Sequence, residues 1–312
     1  MQQNEVAPYA EAVETQSPNG ALSYTTALIF KCRDKTLRLH ERTHIMGILN
    51  LTPDSFHDGG KWGDVDSALR HAESMIEGGA DIIDVGGEST RPGSTGVPEE
   101  EELRRVMPVI REIRKRSDAP LSIDTTKERV AREALAEGVD IVNDISGLTY
   151  SRGIAEAVSE HGAGLIVMHT PSRPKDMQSK TVYVSLMDDV LDSLRISVGK
   201  AVQAGVGERS IIADPGFGFG KTPGQNIAML KNLARLGELG VPVMIGTSNK
   251  SFIGKISGTG AEERLLGTAA TVAIGIMNGA SLVRVHDVAL MRSVVRMADA
   301  VAGKTTAPGK GE

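Results

Sequence analysis

Cysteine occurs once in the 312 residues, at Cys32, which rules out an internal disulfide framework and fits a reducing compartment. Aromatic residues supply only 3% of the chain, too few for the stacked platforms on which proteins hold unpaired bases. Net charge is low as well. Its value of −5 gives no reason to expect nucleic acid or an anionic membrane as partner. No apolar run approaches the roughly 18 residues of a membrane span. The first 24 residues carry three Glu and no Lys or Arg, so they lack the basic start and apolar centre of a secretory signal. A cytoplasmic location is expected, with residues 1–24 and 303–312 as flexible tails around one folded unit, 25–302.

Two nucleotide-binding patterns are also missing. The stretch DPGFGFGKT, 214–222, looks like a loop that wraps phosphates. The pattern G-x-x-x-x-G-K-[ST] would need glycine at 215, however, and that residue is Pro215. No G-x-G-x-x-G follows the first strand-like run, which weakens an open doubly wound sheet as the fold. His40 and His44 are four apart, but a strand pattern surrounds them and zinc is not expected.

What the chain has is alternation. LIFKCRD and KTLRLHE alternate apolar and polar residues around Asp34-Lys35, which predicts a β-hairpin. Eight short apolar runs follow: 44–50, 81–87, 120–124, 140–144, 164–169, 210–215, 241–246 and 281–286. Continuously apolar runs are expected of parallel strands buried on both faces. Helical spacing lies between them, clearest in 99–116 and 183–204. Eight such units predict an α/β fold, a (β/α)8 TIM barrel with an N-terminal β-hairpin.

In a barrel, chemistry belongs where the strands end. There the runs deliver Asn50, the stretch GGESTRPGS, Asp124, Asn143-Asp144, His169, Asp214, GTSNKSFIG and Arg284-Val285-His286-Asp287. Asp124, Asn143, Asp214 and Lys250 form a donor and acceptor wall suited to the amidine-like edge of a flat heterocycle. Asn50, Arg91, Arg284 and His286 bring cations and amide donors, which suit a phosphate or diphosphate. A planar polar ring carrying a diphosphate would satisfy both sets.

HIMGILNLTPDSF, GADIIDVGGESTRPGS, LSIDTTK, IVNDISG, ADPGFGFGKT, GTSNKSFIG and VRVHDV resemble, in order and spacing, the signature blocks of the dihydropteroate synthases, over about 26–302. The resemblance implies a barrel that pairs through outer helices as a homodimer. It also implies a reaction: 6-hydroxymethyl-7,8-dihydropterin diphosphate joins 4-aminobenzoate, releasing pyrophosphate, with Mg²⁺. It makes Asp124, Asp214, Lys250, Arg284 and His286 the catalytic set. Asp124, Asn143, Asp214, Lys250 and Arg284 would hold the pterin, while Asn50, Arg91, Arg284 and His286 would hold the diphosphate, with Asn50 on the metal. Thr90, Pro92, Phe219, Lys250 and Ser251 would shape the aminobenzoate pocket, and Gly218 and Gly220 would let Phe219 crowd a planar ligand. Loops 51–60 and 86–96 would be mobile.

The block that usually reads Ser-Arg-Lys is here Ser248-Asn249-Lys250, which bears on the affinity for aminobenzoate and for sulfonamides. MHTPSRPKDMQ, 168–178, departs in a loop expected to tolerate change. Two other readings share the residues: a methyltetrahydrofolate-corrinoid methyltransferase-like enzyme, and a pterin-binding protein without chemistry.

Overall fold

The computed structural model describes residues 11–16, 22–52, 61–91, 93–260 and 263–304. Within the expected N-terminal tail, β1 (Glu11–Gln16) pairs antiparallel with β2 (Leu22–Ala27), so that stretch carries strands. Next come β3 (Ile29–Cys32) and β4 (Lys35–Arg38), the hairpin the alternation predicts. Its turn is Arg33-Asp34, one residue earlier than the Asp34-Lys35 centre read from the sequence.

The eight apolar runs become β5 (His44–Asn50), β6 (Ile82–Gly86), β7 (Leu121–Asp124), β8 (Ile141–Asp144), β9 (Gly164–Met168), β10 (Ile211–Asp214), β11 (Met244–Ile245) and β12 (Leu282–Val285). All are parallel, in the order β10-β9-β8-β7-β6-β5-β12-β11. A single bridge from Ala213 to Val243 joins the two ends, giving a nearly closed (β/α)8 barrel. The strand predicted over 241–246 shrinks to two residues. Pro242 there has no N–H to give a ladder, although its carbonyl accepts from Ala213 N at 2.9 Å.

Outside the strands lie α1 (Lys61–Gly78), α2 (Glu99–Arg116), α3 (Glu128–Ala136), α4 (Gly153–Glu160), α5 (Leu186–Gln203), α6 (Pro223–Lys231), α7 (Ser251–Ser257), α8 (Leu265–Met277) and α9 (Val288–Val301). The helix α2 matches the span read from its periodicity. Glu99–Glu102 fill its first turn and Arg114–Arg116 its last, which complements the helix dipole. Its buried face is Leu103, Val106, Met107, Val109, Ile110 and Ile113. These side chains join the layer packed between helices and strands.

A second, smaller core fills the N-terminal end of the barrel. Phe30, Cys32 and Leu39 from the hairpin pack on Met46, Ile82, Ile141, Ile166, Ile212, Met244 and Leu282, residues at or near the starts of their strands. The hairpin therefore plugs this end. Gly164 is required by the plug: a Cβ there would lie 2.4 Å from Phe30 Cζ. Burial pushes the Cys32 thiol up to about 12, so it stays protonated and unreactive.

Charges clamp the same end. Buried Asp140 accepts from Lys35 Nζ at 2.7 Å, Arg114 Nη2 at 3.2 Å and Leu121 N at 2.9 Å. Asp299 near the end of α9 accepts from Thr43 N at 2.8 Å and Thr43 Oγ1 at 2.6 Å. Lys304 Nζ completes this latch, donating to Thr43 Oγ1 at 2.8 Å.

Candidate active site

At the opposite end the strands finish in polar residues. Asp124 ends β7 and Asp214 ends β10, while Asn143 and Arg284 stand one residue before the ends of β8 and β12. Register places Gly86, Asp124 and Asn143 side by side on neighbouring strands. Asp124, Asn143, Asp214, Lys250 and Arg284 line one cavity, together with Thr90 and Phe219. Ile145, Met168, Phe217 and Phe219 give that cavity apolar walls. A narrow slot with polar groups at its base and apolar sides suits a flat, polar ring.

The base is a charge network. Arg284 donates from Nε to Asp84 Oδ2 at 2.6 Å and from Nη2 to Asp124 Oδ2 at 2.7 Å. Asn143 Nδ2 donates to the same Asp84 oxygen at 3.0 Å. Asp84 is fully buried. Burial raises the Asp124 carboxyl above its usual range; Arg284 opposes this, and neighbouring Asp84 adds to it. Burial likewise raises Asp214, against the pull of the Gly216 N–H and of Lys250. Lys250 Nζ lies 4.2 Å from the centre of the Phe219 ring, a cation–π contact. Burial, and then Arg284, lower its ammonium to about 8.

The Gly-rich turn after β10 explains DPGFGFGKT. Asp214 Oδ1 accepts from Gly216 N at 2.7 Å, which closes a tight turn on the carboxylate. Gly216 has φ 71° and a Cβ there would lie 2.1 Å from the His169 carbonyl oxygen, so only glycine fits. Lys221 does not face a phosphate. It is buried, and its Nζ contacts His169 Nδ1 at 3.0 Å, Gly216 O at 3.0 Å and Phe219 O at 3.1 Å. Burial lowers it to about 7. Thr222 then caps α6 with Gln225 in a reciprocal capping box, with Pro223 in the first turn. The Lys-Thr that mimics a nucleotide loop is a turn bolt followed by a helix start.

The second set sits beside the slot. A Cβ on Gly86 would lie 3.7 Å from Asn50 Oδ1 and 3.9 Å from Asp124 Oδ2. The missing side chain thus leaves the amide oxygen and the carboxylate uncovered on that side. His286 Nδ1 is 2.9 Å from Ser248 Oγ. Burial, then Arg284, Lys250 and Arg91, lower its imidazole to about 4. His286 was counted among the cations in the sequence; here it is neutral at pH 7, a hydrogen-bonding ring. Arg91 and Ser251 are exposed, Ser251 as the first residue of α7. Pro92 and loop residues 53–60 lie outside the described residues. His169 does not line the cavity; its ring serves Lys221.

Sequence reasoning missed three polar groups, Asp84, Lys221 and Ser248. The first had a signal, since an acid inside the apolar run DIIDVGG must find a partner when buried. The departure at Asn249 has a backbone reason. Its φ is 57°, a left-handed conformation that asparagine tolerates better than arginine. Arg264 Nη1 donates to its carbonyl at 3.1 Å, and its N–H donates to Thr268 Oγ1 at 3.1 Å.

His40-Glu41-Arg42-Thr43-His44 matches the zinc-protease string H-E-x-x-H, which works when both rings share a helix face. Here His40 stands in a turn and His44 opens β5, and their Nδ1 atoms each lie 3.2 Å from a backbone carbonyl. The string carries no such site.

Residues 46–286 match the family model described as pterin binding enzyme. The dihydropteroate synthase of Clostridium beijerinckii is 46% identical over 272 residues, covering 87% of this chain and 98% of its own. A Clostridium difficile dihydropteroate synthase crystallised in the presence of pteroic acid superposes with a TM-score of 0.80 at 46% identity, over 84% of this chain and 97% of its own. The Xanthomonas albilineans enzyme with 4-aminobenzoic acid gives 0.82 at 41% identity, over 88% and 98%.

Proposed function

The chain belongs to the dihydropteroate synthase family, within the pterin-binding enzymes, and from that premise we propose how its residues divide the reaction. It is a transferase of the folate pathway. It condenses 6-hydroxymethyl-7,8-dihydropterin diphosphate with 4-aminobenzoate, giving 7,8-dihydropteroate and pyrophosphate.

The observation that carries the residue assignment is the convergence of Asp124, Asn143, Asp214, Lys250 and Arg284 on one slot with apolar walls. Asp214 accepts from the ring N–H and amino group, Asp124 and Asn143 take the remaining edge, and Lys250 donates to the ring carbonyl. Arg284 lies between ring and diphosphate. Phe219, with Ile145 and Met168, sandwiches the plane.

In the reaction the C–O bond from the pterin methylene to the diphosphate breaks, and the electron pair leaves with oxygen. The resulting cation is delocalised into the electron-rich ring, beside the Asp124 and Asp214 carboxylates. Arg284 and Arg91, with the His286 ring as a further hydrogen-bond donor, meet the charge that develops on the leaving group. The amine nitrogen of 4-aminobenzoate attacks the methylene carbon and its proton passes to water. A neutral arylamine needs no strong base, so holding both reactants in one cleft supplies much of the acceleration. Thr90, Pro92, Phe219, Lys250 and Ser251 form the aminobenzoate side.

Among the described residues no group of three or more His, Cys, Asp or Glu could hold a metal by itself. Asn50 Oδ1 and Asp124 Oδ2 both stand within 4 Å of where a side chain on Gly86 would begin, an oxygen pair suited to an ion shared with a substrate. Mg²⁺ keeps waters and takes substrate phosphates rather than an all-protein cage. Bound through Asn50 and the diphosphate, Mg²⁺ would neutralise charge on the leaving group.

A homodimer is supported by the outer helices. Leu266, Ile274 and Met277 on α8, with Leu290, Met297 and Val301 on α9, are all exposed, and an apolar face of this kind marks an association surface. No helix among the described residues is long and apolar enough to cross a membrane.

Release of pyrophosphate by the purified chain tests the function. It should require both pterin diphosphate and 4-aminobenzoate and should stop on removal of Mg²⁺. Release without 4-aminobenzoate, or none at all, overturns the reading.

A further inference from the structure

Resting on the pterin-slot reading above, we propose that Asp84 is a positioning residue: it fixes which way round the Asn143 amide faces the ring and anchors Arg284, without touching substrate. Asp84 is the third residue of β6, in register with Ile48 on β5 and Ser122 on β7. It is fully buried. Its Oδ2 receives two donors, Arg284 Nε at 2.6 Å and Asn143 Nδ2 at 3.0 Å.

An ionised carboxylate only accepts, so the amide group facing it has to be the N–H side. Turning Asn143 over would set oxygen against oxygen in a water-poor site, where an unpaired polar contact is costly. Asp84 therefore commits Asn143 to show its oxygen on the other side. That Oδ1 is buried and has no partner among the described residues, and Asn143 lines the slot. Asp124 and Asp214 line the same slot. With Asn143 fixed this way it presents an acceptor beside Asp124 and Asp214, which selects a ring that places an N–H or amino group opposite it. A ring showing an acceptor there would leave two oxygens face to face. Asp84 thus sets ring specificity from behind the wall.

The same carboxylate shares Arg284 with Asp124. Arg284 Nη2 reaches Asp124 Oδ2 at 2.7 Å while its Nε holds Asp84. Two fixed points leave a guanidinium little freedom to swing.

The test is an exchange of donor and acceptor, read by calorimetry of free pterin and by steady-state kinetics, with melting temperature as a control for folding. Asn143→Ala sets the scale and should weaken pterin binding about tenfold. Asn143→Asp keeps an oxygen toward the slot but faces Asp84 with a second acceptor, and should bind pterin worse than Asn143→Ala. Asp84→Asn should raise KM for pterin diphosphate about tenfold and leave KM for 4-aminobenzoate unchanged. The double variant Asp84→Asn with Asn143→Asp restores one donor facing one acceptor, and should bind better than Asn143→Asp alone.

If the two single losses simply multiply in the double variant, or Asn143→Asp binds as well as Asn143→Ala, Asp84 does not set the amide. A uniform fall in kcat with both KM values unchanged also overturns the proposal. Should Asp84→Asn fail to fold, the comparison of Asn143→Asp with Asn143→Ala decides alone. Unchanged pterin affinity in Asn143→Ala would instead remove the slot assignment itself, a separate outcome.

Discussion

The two ends of the barrel are built from the same eight strands and obey opposite rules. At the N-terminal end the hairpin drives Phe30, Cys32 and Leu39 into a dry plug. The carboxylates around it are fully engaged: both oxygens of Asp140 and both of Asp299 have donors. At the C-terminal end Asp84 Oδ1 and Asn143 Oδ1 are buried without partners among the described residues, and Lys250 and Lys221 are held well below the usual ammonium range. Unpaired buried polar atoms cost stability. Of the residues carrying them, Asn143 lines the slot, so its oxygen is an acceptor left for a ligand to meet. The carboxylates of one end are met by the fold itself, while the slot at the other keeps an acceptor unmet.

Substitutions at the two ends should then separate activity from stability. The largest effect belongs to Asp214→Asn. It should cost roughly four orders of magnitude in kcat/KM and leave the melting temperature nearly unchanged, as read by pyrophosphate release and thermal unfolding. Phe30→Ala should do the reverse, losing about 3–5 kcal/mol of stability while kcat/KM of the folded protein stays within about twofold. Comparable losses of activity in both variants would erase the distinction between the ends.

Arg284→Ala should weaken diphosphate-bearing pterin about 100-fold and free pterin about tenfold by calorimetry; equal losses would remove it from the diphosphate. A further effect is in pH. Lys221 titrates at about 7 when folded against an ordinary 10.5, so between those values the unfolded chain binds more protons. Its contribution makes stability climb as pH rises from about 7 to 10.5. Lys221→Met should flatten that climb in urea-unfolding midpoints taken across the window.

The fold was legible because burial on both faces leaves a strand no choice but an apolar run, and eight such runs stand out against amphipathic helices. Most of the candidate site was legible for the complementary reason. Asp124, Asn143, Asp214 and Arg284 interrupt those runs at one end, where water or ligand can receive them. What stayed hidden depends on contacts across the chain. Asp84 lies 200 residues from Arg284, and nothing local reports that pairing. Lys221 reads as a phosphate ligand until the carbonyls of its own turn surround it. The lowered pKa of His286 follows from burial, from Arg284 two residues before it, and from Lys250 and Arg91 on distant loops, and spacing reveals neither the burial nor the last two. The short β11 has a local signal as well, since Pro242 stands inside that run and has no N–H to donate.

The Thr43–Asp299–Lys304 latch has a consequence for biosynthesis. It joins the entrance of the first barrel strand to the last described residue of the chain. A growing polypeptide on the ribosome cannot engage this clasp until Lys304, 261 residues after Thr43, has emerged. Chains that stop before α9 should therefore leave the ribosome with the strand entrance unsealed, open to proteases that spare chains reaching past Lys304.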